Sequence, residues 1–493
     1  MKKLISESSN YGKLILLIGL LIAAPLAVVP FYPEDSRYIP AFLIPSLISV
    51  ALGSAVCFYA PRKEKPVIEW QSPLQRGSLP VMLAWGFAFI AGAAPFMISG
   101  QLNFILALFE SVSGWTTTGL TVVNVTAMPH IFLFHRAFMQ YCGGLGFIIM
   151  IAMLVQGKQN MNLYNAEGHP DRIMPSLKKT SQIIFLLYSC FLVAGTLTYR
   201  LFGMKLFDAV CHAMSALSTA GFTTQANSIG QYNSLPIEIA TVVLMLIGAT
   251  NFAILLLLAK RKFRKALQVS EVRFMIGLLI VFVPLAALSL MIKMDMGFGE
   301  SLINSLFGIV TTFTTTGYST MNYALWPPFA LGLLMLLMIV GGSAGSTAGG
   351  IKLFRAYLLI RIAKENVRNR LSPARRVTVA SYYRGQGKMP IDNSLIKDTV
   401  GFVACYIGVV IVGTLFLTFA SGSSLFEAMF EFASAFGTVG ISNGLTNAAA
   451  SAGALLVLMI GMILGRLEVF IVFIGIFSGA HLLKQQIQKR KPR

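Results

Sequence analysis

Long apolar runs alternate with short polar stretches from one end of the chain to the other. Ten of these runs are long enough to cross a bilayer, near residues 14–30, 40–60, 79–98, 130–155, 181–203, 236–259, 273–293, 327–361, 397–420 and 452–483. The first follows Lys2, Lys3 and Lys13, as in a secretory signal. Its apolar run is too long for one, and its polar lead of about a dozen residues is unusual, so it reads as an uncleaved span. Four further apolar runs are too short to span, near 103–114, 206–217, 301–313 and 424–436. Each lies between two full spans and runs straight into a stretch rich in Thr, Ser and Gly. Irregular backbone at membrane depth survives only when buried in protein or lining a wet cavity. Four such segments imply a pore.

Composition agrees. Of 493 residues, 56% are hydrophobic and 12% are charged, and mean hydropathy is +0.72, so the apolar surface must face lipid. The net charge of +20 would suggest nucleic acid in a soluble protein. Here 33 of the 39 Lys and Arg fall in the loops and tails at 2–13, 62–76, 158–179, 260–273, 352–397 and 484–493. All of these lie on one side if the N-terminus is cytoplasmic. The positive-inside rule therefore places both termini in the cytoplasm and removes nucleic acid as a partner. The five cysteines, Cys57, Cys142, Cys190, Cys211 and Cys405, fit neither a disulfide framework nor a zinc site. The five His are scattered, without a His-Glu-x-x-His motif, which argues against a catalytic metal.

An internal repeat sharpens the reading. Aligned on Gly119, Gly221, Gly317 and Gly440, the short segments read SGWTTTGLT, SALSTAGFT, TTFTTTGYS and SAFGTVGIS. Two residues before each glycine stands a threonine: Thr117, Thr219, Thr315 and Thr438. Two after it stands a hydroxyl: Thr121, Thr223, Ser319 and Ser442. Six before it stands another: Ser113, Ser215, Thr311 and Ser434. A lone Thr-x-Gly carries no information. Four in register, 102, 96 and 123 residues apart, each fit one span–short helix–loop–span unit.

The residue types suit a partly dehydrated monovalent cation, whose lost water backbone carbonyls can replace. Glycine tolerates the backbone angles that aim carbonyls at an axis. A preceding short helix turns the negative end of its dipole toward the ion. The expected filter residues are Thr117, Thr118 and Gly119; Thr219, Ala220 and Gly221; Thr315, Thr316 and Gly317; and Thr438, Val439 and Gly440. No metal beyond the transported ion is expected at these residues.

The stretches FESVSGWTTTG (109–119), GGSAGSTAGGIK (341–352), SAFGTVGIS (434–442) and GRLEVF (465–470) resemble the Trk/Ktr/HKT superfamily of potassium transporters. The extra spans at 14–30 and 40–60 resemble its TrkH branch, and the match covers nearly the whole chain. The resemblance implies that the four glycines line a potassium pathway. In plant relatives serine at the first of these positions goes with sodium transport. Glycine at all four therefore implies potassium preference, with a sodium-conducting or sodium-coupled member as the alternative.

Gly341, Gly342, Gly345, Gly349 and Gly350 interrupt the long apolar run 327–361 and should break its helix inside the membrane. The stretch lacks the Gly-x-x-x-x-Gly-Lys-Ser/Thr pattern of a phosphate loop. The resemblance makes it a gating loop beneath the filter; the plainer alternative is a flexible kink. Arg466 lies near the middle of a span, where a charge costs about 2.5–3.5 kcal/mol and usually faces a cavity or a partner. The resemblance places it below the filter as a barrier to cations, while the alternative is a structural ion pair. Arg466 and Glu468 stand two apart on a helix and so point to different faces. Glu110 and Glu431 stand nine residues before their glycines, where the other two segments have His212 and Gly308. They read as hydrogen-bond acceptors for amides behind the filter; the alternative is pore-helix anchors or a cation attractor. Asn251 and Lys352 read as structural or vestibule-lining.

The expectation is an all-α integral membrane protein, with four span–pore helix–filter–span pseudo-repeats around one ion pore, preceded by two extra transmembrane helices. Its units are 1–70 (the N-terminal pair), 71–160, 161–265, 266–385 with the loop 341–350, and 386–493. It conducts potassium inward across a bacterial cytoplasmic membrane, and potassium is its substrate, without a resident cofactor. A membrane enzyme would need a catalytic dyad in a span, and the sequence shows none. The basic segment 362–397 can bind anionic lipid or dock a soluble subunit. The resemblance implies a homodimer with a cytosolic TrkA-like nucleotide-binding subunit of the RCK type.

Overall fold

The computed structural model describes residues 10–59, 73–146, 177–371, 380–385 and 387–490. Much of the basic sequence that set the orientation (1–9, 60–72, 147–176 and 372–379) lies outside the described residues, as does the second half of the expected span 130–155.

The apolar runs fold as helices because lipid offers no partner for a bare peptide group, so each backbone must satisfy itself. The chain opens with α1 (Asn10–Ala23), α2 (Ile39–Tyr59) and α3 (Pro73–Ile98). A short helix α4 (Phe104–Trp115) and α5 (His130–Leu145) follow. Next come α6 (Leu177–Leu201), short α7 (Leu206–Leu217), α8 (Leu235–Gly248), α9 (Phe252–Ala259) and α10 (Phe263–Gln268). The third set is α11 (Ser270–Met294), short α12 (Phe298–Phe313), α13 (Pro328–Val340) and α14 (Leu353–Leu371). The last is α15 (Asn393–Ser421), short α16 (Leu425–Phe436), α17 (Ala452–Leu467) and α18 (Val469–Arg490). Among the described residues, six stretches are long and apolar enough to cross a membrane: Tyr11–Val28, Pro33–Tyr59, Ser78–Ile98, Lys178–Leu201, Ser270–Met294 and Asn393–Ser421. In Ser270–Met294 only 28% of the most apolar window is buried inside the protein, so most of that surface is left for lipid. The chain is a mostly helical, multi-pass membrane protein.

Two differences from the sequence reading stand out, with one agreement between them. First, the expected spans 236–259 and 452–483 are not single helices: α8 and α9 meet at 113°, and α17 and α18 at 101°. Thr250 and Asn251 interrupt the first, and Asn251 caps α9 by accepting from Ala253 N at 2.7 Å. Glu468, with φ 61°, turns the second. The helix in 130–155 likewise stops at Leu145, where Gly146 takes φ 85°. The run 327–361 breaks as expected, with α13 ending at Val340 and α14 starting at Leu353. Second, the structure is not purely helical. Within the basic segment, β1 (Ser381–Arg384) pairs antiparallel with β2 (Gly387–Pro390), Tyr382 opposite Met389.

Two of the four short helices, α4 and α16, are capped by a side chain. Asn103 accepts from Leu106 N at 3.0 Å. Ser424 and Glu427 form a reciprocal capping box at the start of α16. The hydrogen bonds from Ser424 hold the Glu427 carboxyl below its ordinary value.

Candidate functional site

All four short helices end in the same way. Their caps, Thr116, Ser218, Thr314 and Gly437, are still helical. The next residues, Thr117, Thr219, Thr315 and Thr438, swing to φ 56°, 52°, 56° and 53°. The residue after each donates its N–H to a carbonyl five positions back. These bonds are Thr118 to Ser113 at 3.0 Å, Ala220 to Ser215 at 3.0 Å, Thr316 to Thr311 at 2.8 Å and Val439 to Ser434 at 2.8 Å. This is a Schellman helix end, in which the left-handed position normally belongs to glycine. A β-branched residue there costs about 1–3 kcal/mol, so the surroundings must hold it.

The hydroxyls show what holds it. Thr117 Oγ1 accepts from Arg466 Nη1 at 3.3 Å, and Thr315 Oγ1 accepts from Gly349 N at 2.9 Å. Thr219 Oγ1 is bonded to Thr347 Oγ1 at 3.0 Å. Thr438 Oγ1 lies so close to Gly349 that a Cβ there would stand 2.1 Å from it. The expected loop 341–350 and Arg466 thus sit directly against the four threonines.

The four glycines close a circuit. Gly119, Gly221, Gly317 and Gly440 take φ 93°, 79°, 82° and 87°. A Cβ on Gly119 would stand 2.2 Å from Ala220 O, and one on Gly221 would stand 2.1 Å from Thr316 O. Gly317 faces Val439 O at 1.9 Å and Gly440 faces Thr118 O at 2.1 Å by the same measure. Each of the four runs therefore packs on the next, and the last returns to the first. No side chain fits at any of these glycines without moving a neighbour's backbone. Thr118 and Thr316 are fully buried, with their hydroxyls on Thr116 Oγ1 at 2.8 Å and Thr314 Oγ1 at 2.9 Å. Four irregular backbone runs gathered in this way supply oxygens of the kind that replace a cation's water.

Polar groups brace the ring from behind, and differently in each run. Glu110 accepts from Thr121 Oγ1 at 3.0 Å, Val122 N at 3.2 Å and Arg136 Nε at 2.6 Å. Glu431 accepts from Ser442 Oγ at 2.7 Å and Asn443 N at 2.9 Å, and from Thr446 Oγ1. Both carboxylates thus receive the backing amides that the sequence assigned to them. The second and third runs move the acceptor one helical turn earlier. There Asp208 Oδ1 takes Thr224 Oγ1 at 2.6 Å and Asn304 Oδ1 takes Thr320 Oγ1 at 2.8 Å. Gly308, where a carboxylate would sit, faces the Trp326 ring instead.

Three participants were missed from sequence. Arg136, fully buried in α5, joins Glu110 to Thr223 O at 3.2 Å and stacks 3.9 Å over the Phe222 ring. Arg136 is thus a second deep cation besides Arg466. An ionisable residue inside an apolar run was the available signal. Gln140, one turn further along, accepts from Ser215 Oγ at 2.6 Å and Phe222 N at 3.2 Å and donates to Ala220 O at 2.7 Å. Thr347, hidden among glycines, donates to Gly248 O at 2.9 Å and offers its own carbonyl to Arg466 Nη1 at 2.6 Å.

The loop lies in the break between α8 and α9. Ser343 N donates to Ala249 O at 3.0 Å, Phe252 N to Gly345 O at 3.3 Å, and Asn251 Nδ2 to Ala344 O. A Cβ on Gly341 would stand 2.1 Å from Gly349 O, and Gly350 likewise presses on Gly341, so the two ends touch. Gly342 packs on Ala348 and Ala249, leaving no room for a side chain. Arg466 also donates to Gly143 O, and to Gly144 O at 3.2 Å. Glu468 pairs with Arg355.

The site is a ring of four buried backbone runs in a multi-pass membrane protein, with the loop and Arg466 against its threonines and Arg136 behind it. The sequence profile of the TrkH family, described as cation transport protein, matches residues 42–478. The Trk system potassium uptake protein TrkG of Escherichia coli (strain K12) is 32% identical, over 95% of this chain and 96% of that protein. The TrkH protein of Salmonella typhimurium is 30% identical, over 93% and 95%. The crystal structure of the potassium transporter TrkH from Vibrio parahaemolyticus superposes with a TM-score of 0.82 at 28% identity, covering 94% of this chain and 96% of that one. The chain belongs to the TrkH family of cation transport proteins.

Proposed function

We propose that the chain carries potassium inward across the bacterial cytoplasmic membrane, with both termini in the cytoplasm. The observation that carries this reading is the closed circuit of four glycine runs with the loop and Arg466 against their threonines. In this reading Thr117–Gly119, Thr219–Gly221, Thr315–Gly317 and Thr438–Gly440 form the selectivity filter. The four span–short helix–run–span units are pseudo-repeats around one pore, after the N-terminal pair α1 and α2. Potassium is the substrate, and no resident cofactor is required.

Gly341–Gly350 and Arg466 form the gate. A guanidinium held at Thr117 puts a fixed positive charge at the ring. A cation passing about 5–8 Å away at an effective dielectric constant near 20 meets a barrier of about 2–3 kcal/mol. The names of the two relatives above, both Trk system potassium uptake proteins, support potassium as the ion and further Trk components as partners. The partners we assign are a second copy of this chain, membrane lipid, and a cytosolic TrkA-like nucleotide-binding subunit docked on the basic surface near β1 and β2.

Growth of a potassium-uptake-deficient bacterium carrying this chain, with potassium and sodium varied, tests the reading. Rescue at low potassium that sodium does not replace is the expected result. Rescue that tracks sodium instead would assign the chain to sodium conduction, and no rescue with the chain present in the membrane would overturn the proposal.

A further inference from the structure

The intramembrane loop is a closed bight with a tied neck. Ile351 N donates to Ile339 O at 3.0 Å, Lys352 N to Val340 O at 2.9 Å, and Leu353 N to Gly342 O at 2.8 Å. The chain leaving this neck is the first turn of α14, and Arg355 stands on it. Its guanidinium forks onto Glu468, Nη1 to Oε1 at 3.2 Å and Nη2 to Oε2 at 3.0 Å, and stacks 3.8 Å over the Phe402 ring. Glu468 is the left-handed residue that makes the 101° corner between α17 and α18. Two positions earlier on that corner, Arg466 holds the loop at Thr347 O. One bend therefore grips the loop twice, at its tip through Arg466 and at its root through Glu468.

We propose that the α17–α18 corner is a two-point clamp on the intramembrane loop, and that the Arg355–Glu468 fork is the point through which movement of α14 reaches the gate. The two residues are a positioning pair: they bond to each other, and Arg355 also reaches Ile351 O and the Phe402 ring. Their geometry suits the role. A bidentate guanidinium–carboxylate pair fixes direction as well as distance, which a lysine at Arg355 cannot do. The pair is partly exposed, at 26% and 18%, so it is cheap enough to break in each opening. Helix α14 continues through Arg361, Lys364, Arg368 and Arg370 into the basic segment. In the proposed orientation, any cytosolic partner that pulls on that segment pulls on Arg355. Because Glu468 is the corner itself, releasing it lets the segment that carries Arg466 turn, and the tip contact goes with the root contact. Two contacts that share one corner make a two-state element, the physical requirement for coupling across a distance.

This inference rests on the potassium-transport reading above, and the same vesicles report on both. Purified chain is reconstituted in liposomes and potassium flux is measured per folded molecule. Absence of flux from the unsubstituted chain speaks against the transport reading. The clamp is judged only on ratios between variants. Glu468→Gln keeps the shape and removes the charge, and flux should rise about five- to tenfold. Arg355→Lys keeps the charge and loses the fork, and flux should rise about two- to threefold; it decides the matter if Glu468→Gln fails to fold. The exchanged pair, Arg355→Glu with Glu468→Arg, should bring flux back to within about twofold of the unsubstituted chain. Arg466→Gln alone should raise flux, and adding Glu468→Gln to it should add little, because both release one corner. Unchanged flux in folded Glu468→Gln or Arg355→Lys overturns the clamp. So does an exchanged pair that stays as conductive as Glu468→Gln, or full multiplication of the Arg466 and Glu468 effects.

Discussion

Threonine in a left-handed conformation is an unusual thing to find once, and here it recurs at Thr117, Thr219, Thr315 and Thr438. A glycine at these points would relieve the backbone but would remove the hydroxyl that meets the loop and Arg466. Strain and contact are therefore the same choice of residue. The glycine two positions later has the opposite requirement, since any side chain collides with the next run. Gly119→Ser, whose Cβ would stand 2.2 Å from Ala220 O at φ 93°, must push the first and second runs apart. Preference for potassium over sodium should fall severalfold, read as a reversal-potential shift in mixed salt. Gly277→Ser is the control, because nothing lies within 4 Å of its Cβ position. Equal selectivity in the two variants would remove Gly119 from the filter. The sequence marked these positions because threonine and glycine recur at fixed offsets. It was silent on Gln140 and Thr347, whose partners are far along the chain: Gln140 meets Ala220 and Thr347 meets Arg466.

Among the elements, the broken helices are the consequential ones. The α8–α9 break cradles the loop that forms the α13–α14 break, and the α17–α18 corner grips it from the other side. The glycines of 341–350 announced the second break in the sequence, because five in ten residues cannot stay helical there. The other two carried no such signal. Their apolar runs are long enough to span straight, and the turns are made at Thr250–Asn251 and at Glu468, ordinary residues whose conformation depends on what they touch. Deleting 343–347 removes Thr347 and the acceptors of Asn251 and Arg466 together. Potassium flux in liposomes should rise at least tenfold and become insensitive to a cytosolic partner. A folded deletion variant with ordinary, still-regulated flux would take the gating role away from the loop.

At the scale of the whole molecule, the ring is held by ties between distant elements. Arg136 ties α4 and α5 to the second run by one buried ion pair, one carbonyl and one ring. Arg136→Met leaves Glu110 buried without its charge partner, at a cost of about 3–5 kcal/mol. The melting temperature in detergent should drop by roughly 3–10 °C, at about 1–2 °C per kcal/mol when the sensitivity of smaller chains is scaled to this length. A drop within about 1 °C would show that the pair is dispensable. The sequence by itself determined the membrane class, the runs that fold as helices, and the equivalent positions of the four glycine stretches. Those follow from bilayer thickness, from the need of each peptide group for a partner, and from local residue order, all of which are written along the chain. Only the tertiary structure decided the cyclic order of the runs, the bends, the seat of Arg466 on Thr117 and Thr347, and the pairing of Glu468 with Arg355 rather than with Arg466. Those depend on which distant segments share one buried space, and a charge or hydroxyl takes whichever partner that packing brings within about 3 Å.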